Sequence, residues 1–352
     1  MKELAMGGIN AGYDQVSIDQ PLLPGMAGAA REKATPAVTD VPLFLAHQPI
    51  ETALRTFPLT RAITMISVVF MDKVLLLLLV VLLAGTVRLN AAESVDPASF
   101  WKDGYCVQTS AQTPVPGAKS ILARIDGEWQ ELPLVEFPPA FWEWNRARRL
   151  EYLDIFREMI AKGPEATRSP ELAGPHNGII ATYGAARKDS RFKLNNAVKG
   201  MGFLPREDRI GDLIRLLEAN LEATLPEKLD ILDSLYQHAE DNFSPDRLVS
   251  LELYSEPGYA TQTFINQMVD PQCVTVFMDI PTYKIKQIAR LLHPDNPALT
   301  EYERQAVRYV NLMHSFFHGA FPRDYIGVIY YNVEIYDSSP GRPDARGTKI
   351  SP

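Results

Sequence analysis

Cysteine is nearly absent: the 352-residue chain carries only Cys106 and Cys273. It has no Cys-x-x-Cys pair, no haem-attachment Cys-x-x-Cys-His and no cysteine placed after a hydrophobic run to take a lipid. One pairing is left. In an oxidising compartment Cys106 and Cys273 would close a long loop and stabilise the fold through the unfolded state; the alternative is two buried free thiols.

Catalytic punctuation is also missing. There is no Gly-x-Ser-x-Gly elbow, no Walker A loop and no Gly-x-Gly-x-x-Gly following a strand; Gly200-Met201-Gly202 lacks the third glycine. Serine-hydrolase, P-loop and Rossmann readings are therefore disfavoured, and no nucleotide cofactor is expected. A basic excess is lacking as well, since 35 Lys and Arg face 43 Asp and Glu, a formal net charge of -8. Sequence-independent nucleic-acid binding needs a concentrated cationic surface, so no nucleic-acid partner is expected. No internal repeat occurs, which argues against solenoids and propellers.

What the chain has is ordinary globular composition, 46% hydrophobic and 22% charged. It also has one unbroken apolar run, Val74 to Val87, preceded by Met71-Asp72-Lys73 and followed by Ala91-Ala92. A start-like Met, a Lys, a short apolar core and small residues for a peptidase are the anatomy of a signal peptide over 71–92. The run is short of the roughly 20 residues a bilayer span needs. Seventy residues precede it, Gly/Pro/Ala-punctuated and without periodicity. Either Met71 is the true start and 1–70 is an overlong gene model, or 63–87 is an uncleaved signal anchor. The second case buries Asp72 and Lys73 at about 2.5 to 3.5 kcal/mol each. Both export the rest of the chain, to the periplasm or outside the cell. A cytosolic core helix is disfavoured, because the run has no polar face.

Downstream, the expectation is an α+β fold, a mixed sheet with amphipathic helices in one soluble domain over 93–337, then a flexible polar tail over 338–352. Asp126-Gly127 between Ile121–Ile125 and Glu128–Leu132 predicts a hairpin. Pro138-Pro139 opens a helix that stops at Gly163-Pro164. Stripes at Ile210, Leu213, Ile214, Leu217, Leu221 and at Leu229, Leu232, Leu235, Tyr236, the second behind a Thr224–Glu227 capping box, predict an antiparallel helical hairpin. Strands are expected at 248–254, 274–280 and 326–336, the last buried on both faces, and helices at 283–292 and 300–317.

Three groups of residues are candidates for chemistry. His314 and His318, spaced i, i+4 at a helix end, put two imidazoles on one face and would offer two ligands to Zn²⁺ or Cu²⁺, with His293 or Glu334 completing the set. The His-Glu-x-x-His protease pattern is absent, and helix C-terminal histidines are also favoured by the macrodipole alone. The stretch 164–206 loses periodicity and is glycine-rich and basic. Within it His176, Arg187, Lys188, Arg191 and Lys193 form a candidate anion site, set against a plain solvated excursion. Finally Trp101, Trp129, Trp142 and Trp144 with Tyr302, Tyr309, Tyr325, Tyr330, Tyr331 and Tyr336 would either line a pocket or fill the core. The function expected is an exported binding or accessory protein of the cell envelope, partnered by a small molecule or an envelope protein. The alternatives are a metal-assisted hydrolase-like enzyme and a membrane-anchored interaction domain that touches the bilayer only through 63–87.

Overall fold

Two strands that follow one another in sequence, β6 (Asn195–Gly200) and β7 (Gly202–Pro205), lie at opposite ends of the main sheet. Only Met201 separates them, so the sheet has to curl until its two ends meet. The order is β6-β5-β9-β10-β11-β8-β7, with β5 at Asn177–Thr182, β8 at Phe243–Glu252, β9 at Gln272–Phe277, β10 at Tyr283–Leu292 and β11 at Ile326–Asp337. Every pairing is antiparallel. Gly200-Met201-Gly202, with no Cβ on either side of Met201, is where the chain leaves β5 and joins β8. The computed structural model describes residues 95–341 and 347–352. The leader and the run Val74–Val87 lie outside the described residues, and among those described no helix is long and apolar enough to cross a membrane.

Side chains alternate across the curled sheet. Ile180, Thr275, Ile285 and Ile335 stand side by side on its inner face with no exposed surface, and Ala289, Tyr330 and Leu248 form a second such row. Between them Thr275 Oγ1 donates to Gln287 Oε1 at 2.6 Å and Gln287 Nε2 to Asn332 Oδ1 at 2.9 Å, so the interior is partly polar. The outer face of β8, β10 and β11 is covered by a helix, Glu301–His318, whose Val307 and Val310 approach Gly327 so closely that an added Cβ would lie 3.3 Å and 3.4 Å from them. The sheet's concave end takes the start of α1 (Pro139–Lys162), where Phe141 stacks on Phe137 and meets Trp144 and Tyr283.

The hairpin at Asp126-Gly127 forms as expected, β3 (Ser120–Ile125) pairing β4 (Glu128–Pro133) with both turn residues at positive φ. The helix α1 begins and ends where its prolines and Gly163 place it. The two amphipathic stripes are helices α2 (Ile210–Ala219) and α3 (Leu225–Gln237), the second with its capping box, but they do not pair with each other. α2 packs mainly on the helix Glu301–His318 and α3 on α1. Two expectations are corrected. Tyr283–Leu292 is the strand β10, not a helix, because its alternation is read against β9 and β11 rather than against a helical face. The stretch 164–206 contains β5, β6 and β7. The polar tail contributes a two-residue strand, β12 (Thr348–Lys349), on the edge of β11.

Of the two readings for the cysteines, disulfide or buried free thiols, the structure holds the second: Cys106, in the short hairpin β1–β2 (Trp101–Lys102 and Tyr105–Cys106), and Cys273, in β9, are both buried and unbonded. Burial pushes the Cys106 thiol up to about 12 and raises Cys273 as well, so neither is a ready thiolate.

Charge holds the entering chain to the sheet. Arg290 of β10 donates to Gln108 O at 3.0 Å, to Thr113 Oγ1 at 3.0 Å and to Glu303 Oε1 at 3.1 Å. Glu303 is also the capping-box residue of Glu301–His318, its other oxygen accepting from Thr300 N at 2.8 Å. Burial alone would raise the Glu303 carboxyl, but the Thr113 hydroxyl, the Thr300 amide and Arg290 outweigh it and hold it below the ordinary value. Replacing Glu303 by Ala leaves Arg290 without its carboxylate and removes the side-chain half of the capping box, so a loss of about 3 to 5 kcal/mol is expected in urea unfolding, against less for the double variant Arg290→Met/Glu303→Leu. Equal losses in the two variants would show that the pair is not the element being tested.

Candidate functional site

At one end of the sheet the chain after β5 runs out as a loop, Tyr183 to Leu194, before returning as β6. Helix α4 (Ala239–Asn242) lies elsewhere, before β8; the loop is held instead by α5 (Gln262–Val269), through two amide side chains one turn apart. Asn266 Oδ1 accepts from Ala185 N at 3.1 Å, and its Nδ2 donates to Thr182 Oγ1 at 3.1 Å and to Lys193 O at 2.8 Å. Gln262 Oε1 accepts from Arg187 N at 3.0 Å, and its Nε2 donates to Ala185 O. Gly184 makes the approach possible, since an added Cβ would lie 3.0 Å from the Asn266 backbone.

A buried carboxylate marks the floor. Glu252, at the end of β8 and 1% exposed, accepts from Lys199 Nζ at 2.7 Å, Ser255 Oγ at 3.1 Å and Thr261 Oγ1 at 3.3 Å. Thr261 is also the N-cap of α5, accepting from Phe264 N at 3.1 Å. Above this floor lie two clefts that meet at Arg187. The first, about 350 Å³, is lined by Lys199, Leu194, Val198, Tyr254 and Thr263 with Arg187. The second, about 390 Å³, is lined by Asp96, Trp101, Lys188 and Tyr259 with Arg187.

Arg187 is held by a fork onto Asp189, both N–O distances being 2.6 Å, and lies 5.9 Å from the centre of the Tyr259 ring. The Asp189 side chain is itself well exposed, so the fork is a surface one. Arg187 lowers the Asp189 carboxyl, and Asp189 in turn raises the guanidinium.

Of the expected anion-site residues the structure therefore brings Arg187 and Lys188 to the clefts and keeps Arg191 and Lys193 on the same loop. His176 lies elsewhere, at the start of β5. It belongs instead with the helix here named α6 (Glu301–His318). The rings of His314 and His318 are 4.5 Å apart, and His314 stacks on Phe321 at 4.3 Å. Loss of water pushes His176 down to about 4, and the charges of Arg149, His318 and His314 act in the same direction. Arg149 is buried and, among the described residues, has no carboxylate partner; it donates to Asn145 Oδ1, Met201 O and Pro175 O. Burial, then His318, pushes His314 to about 4, and burial lowers His318.

The four residues of the expected metal set do not converge. His293 packs against Trp101 and Tyr105, and Glu334 pairs with Lys286 at 2.5 Å. Among the described residues no three His, Cys, Asp or Glu side chains are grouped to hold a metal ion. The aromatics divide: Trp101 lines the second cleft, Trp142, Trp144, Tyr309, Tyr330 and Tyr331 are buried core, and Trp129 is exposed on β4. Glu252, Thr261, Gln262 and Asn266, which build the site, had not stood out in sequence, since α5 is short and its amides carry no motif.

No family model matches the chain, and no curated protein does. One solved structure that resembles it is a Clostridium acetobutylicum protein related to general stress protein 26 of B. subtilis, of the pyridoxinephosphate oxidase family. The two share 7% identity over 57% of this chain and 95% of that one, with a TM-score of 0.24. A likeness that distant carries no inference about fold or cofactor.

The lowered histidines have a consequence for stability. A group whose folded pKa lies below its unfolded value near 6.5 binds more protons unfolded, so its contribution is complete above that value and is lost as pH falls toward about 4. Urea unfolding followed from pH 7 to 4 should show stability falling throughout this window, and His314→Gln/His318→Gln should flatten the slope. An unchanged slope would assign the acid sensitivity to carboxylates instead.

Proposed function

We propose that the domain is a non-enzymatic binding domain, carried to or across a membrane by the segment around Val74–Val87, that takes a small anionic ligand beside Arg187. One observation supports this above the others: two clefts share a guanidinium whose one carboxylate partner in hydrogen-bond range among the described residues, Asp189, is exposed. A ligand carboxylate or phosphate can replace Asp189 on the same fork. Lys199 and Glu252 are locked together below and supply a polar floor, while Leu194, Val198 and the two tyrosines give the ligand body an apolar wall.

Calorimetry with inorganic phosphate and phenyl phosphate tests this. Arg187→Ala should abolish binding, and Asp189→Asn, which removes the internal competitor, should strengthen it several-fold. Binding that is unchanged in both variants would end the Arg187 assignment.

A second reading is metal binding by His314 and His318, supported by their one-turn spacing and the 4.5 Å between their rings. Titration with Zn²⁺ should then perturb the wild type and not His314→Ala/His318→Ala; identical responses would remove it.

A further inference from the structure

The loop Tyr183 to Leu194 combines exposed apolar tips with cations that stand outside the ion pairs of the described residues. Phe192 is 76% exposed and Leu194 62%, with Val198, Tyr254 and Tyr259 also exposed around the two clefts. Between the apolar tips run cations: Arg191-Phe192-Lys193-Leu194 alternates charge and hydrocarbon, and Arg187 and Lys188 precede it. Within this loop stand four cations and a single carboxylate, in a chain of net charge -8. Lys188, Arg191 and Lys193 form no ion pair among the described residues. Of the nearby carboxylates, Asp189 is held by Arg187 and Glu256 by Arg323, while Asp96 accepts from the Ala98 amide at its own 3-10 turn.

The chain enters the domain on the same side. Asp96, Pro97 and Ala98, one residue after the first described residue, line the second cleft together with Lys188 and Tyr259. The apolar run ends at Val87, eight residues before Val95, which covalent geometry limits to at most about 28 Å.

We propose that the loop Tyr183–Leu194 rests on an anionic lipid surface, Phe192 and Leu194 entering the headgroup layer while Lys188, Arg191 and Lys193 meet lipid phosphates. Interleaved cations and apolar tips are what such a surface takes up. A second copy fits less well, because a two-fold contact through this loop would set the same cations against each other. The inference takes from the proposed function only that the chain meets a membrane, and it does not require a ligand at Arg187.

The test uses the full chain reconstituted into vesicles of phosphatidylcholine with or without phosphatidylserine. An environment-sensitive thiol label is placed by Phe192→Cys or, at the opposite end of β5, by Leu172→Cys; the native thiols are buried and do not compete. Brominated lipid should quench the label at 192 and not at 172. Arg191→Ser/Lys193→Ser should weaken the quenching at 192 on the order of tenfold in vesicles containing phosphatidylserine. Equal quenching at the two positions, none at 192, or protection of 192 by a cross-linkable second copy overturns the proposal. Phosphate binding by the Arg187 variants is read separately, so either idea can fail alone.

Discussion

The structure depends on one strand changing partners. Asn195–Gly200 pairs with β5 and Gly202–Pro205 with β8, and because the two halves are contiguous the sheet between them has no choice but to curl. Edges are liabilities in open sheets, and here the two edges become one strand. Lys199 and Glu252 cross the seam where backbone pairing stops, buried to 12% and 1% exposure. Such a pair contributes little net stability against an apolar substitute, while removing one partner alone would leave a buried charge unpaired.

Other buried charges sit at comparable joins. Arg290 ties the entering segment and the helix α6 to β10, and Arg247 at the start of the β8–β11 pairing forks onto Asp246 while lying 4.9 Å from the Tyr331 ring. Arg149 differs in kind. It spans from α1 to the carbonyls of Pro175, just ahead of β5, and of Met201 at the strand switch, and is satisfied by neutral oxygens and by the rings of Phe203 and Tyr236. Its charge adds to the burial that lowers His176, acting in the same direction. Position along the fold, rather than any motif, explains why that imidazole is held neutral.

Local chemistry was legible in sequence where it is self-contained. Asp126-Gly127, the Pro138-Pro139 start, the Gly163 stop and the capping box at Thr224 all specify their own structure. Tyr283–Leu292 was not legible, for a physical reason. Its first half alternates, Tyr283 and Ile285 inward against Lys284 and Lys286 outward, but from Ile288 onward α6 covers the outer face while Gln287 faces the partly polar interior. A strand buried on both faces and rich in Lys, Gln, Ala, Arg and Leu has the composition of a helix, and only its neighbours decide. The helices α2 and α3 show the same limit, since their stripes were correct but their packing partners are far away in sequence.

The basic, glycine-rich stretch stood out in sequence, yet what orders it did not. Gln262 and Asn266 hold the loop through backbone groups of Ala185, Arg187 and Lys193, and an amide that serves backbone leaves no signature. The clefts follow from the same topology that closes the sheet. Because β6 forms its strand ladder with β5 and, among the described residues, meets β8 by the Lys199–Glu252 ion pair rather than by a ladder, the seam stays open toward Leu194, and the chain beyond β8 turns away to start α5. That gap is the first cleft. A barrel zipped along its whole seam would have no opening there, so the strand switch that makes the fold possible also leaves the place where a ligand can enter.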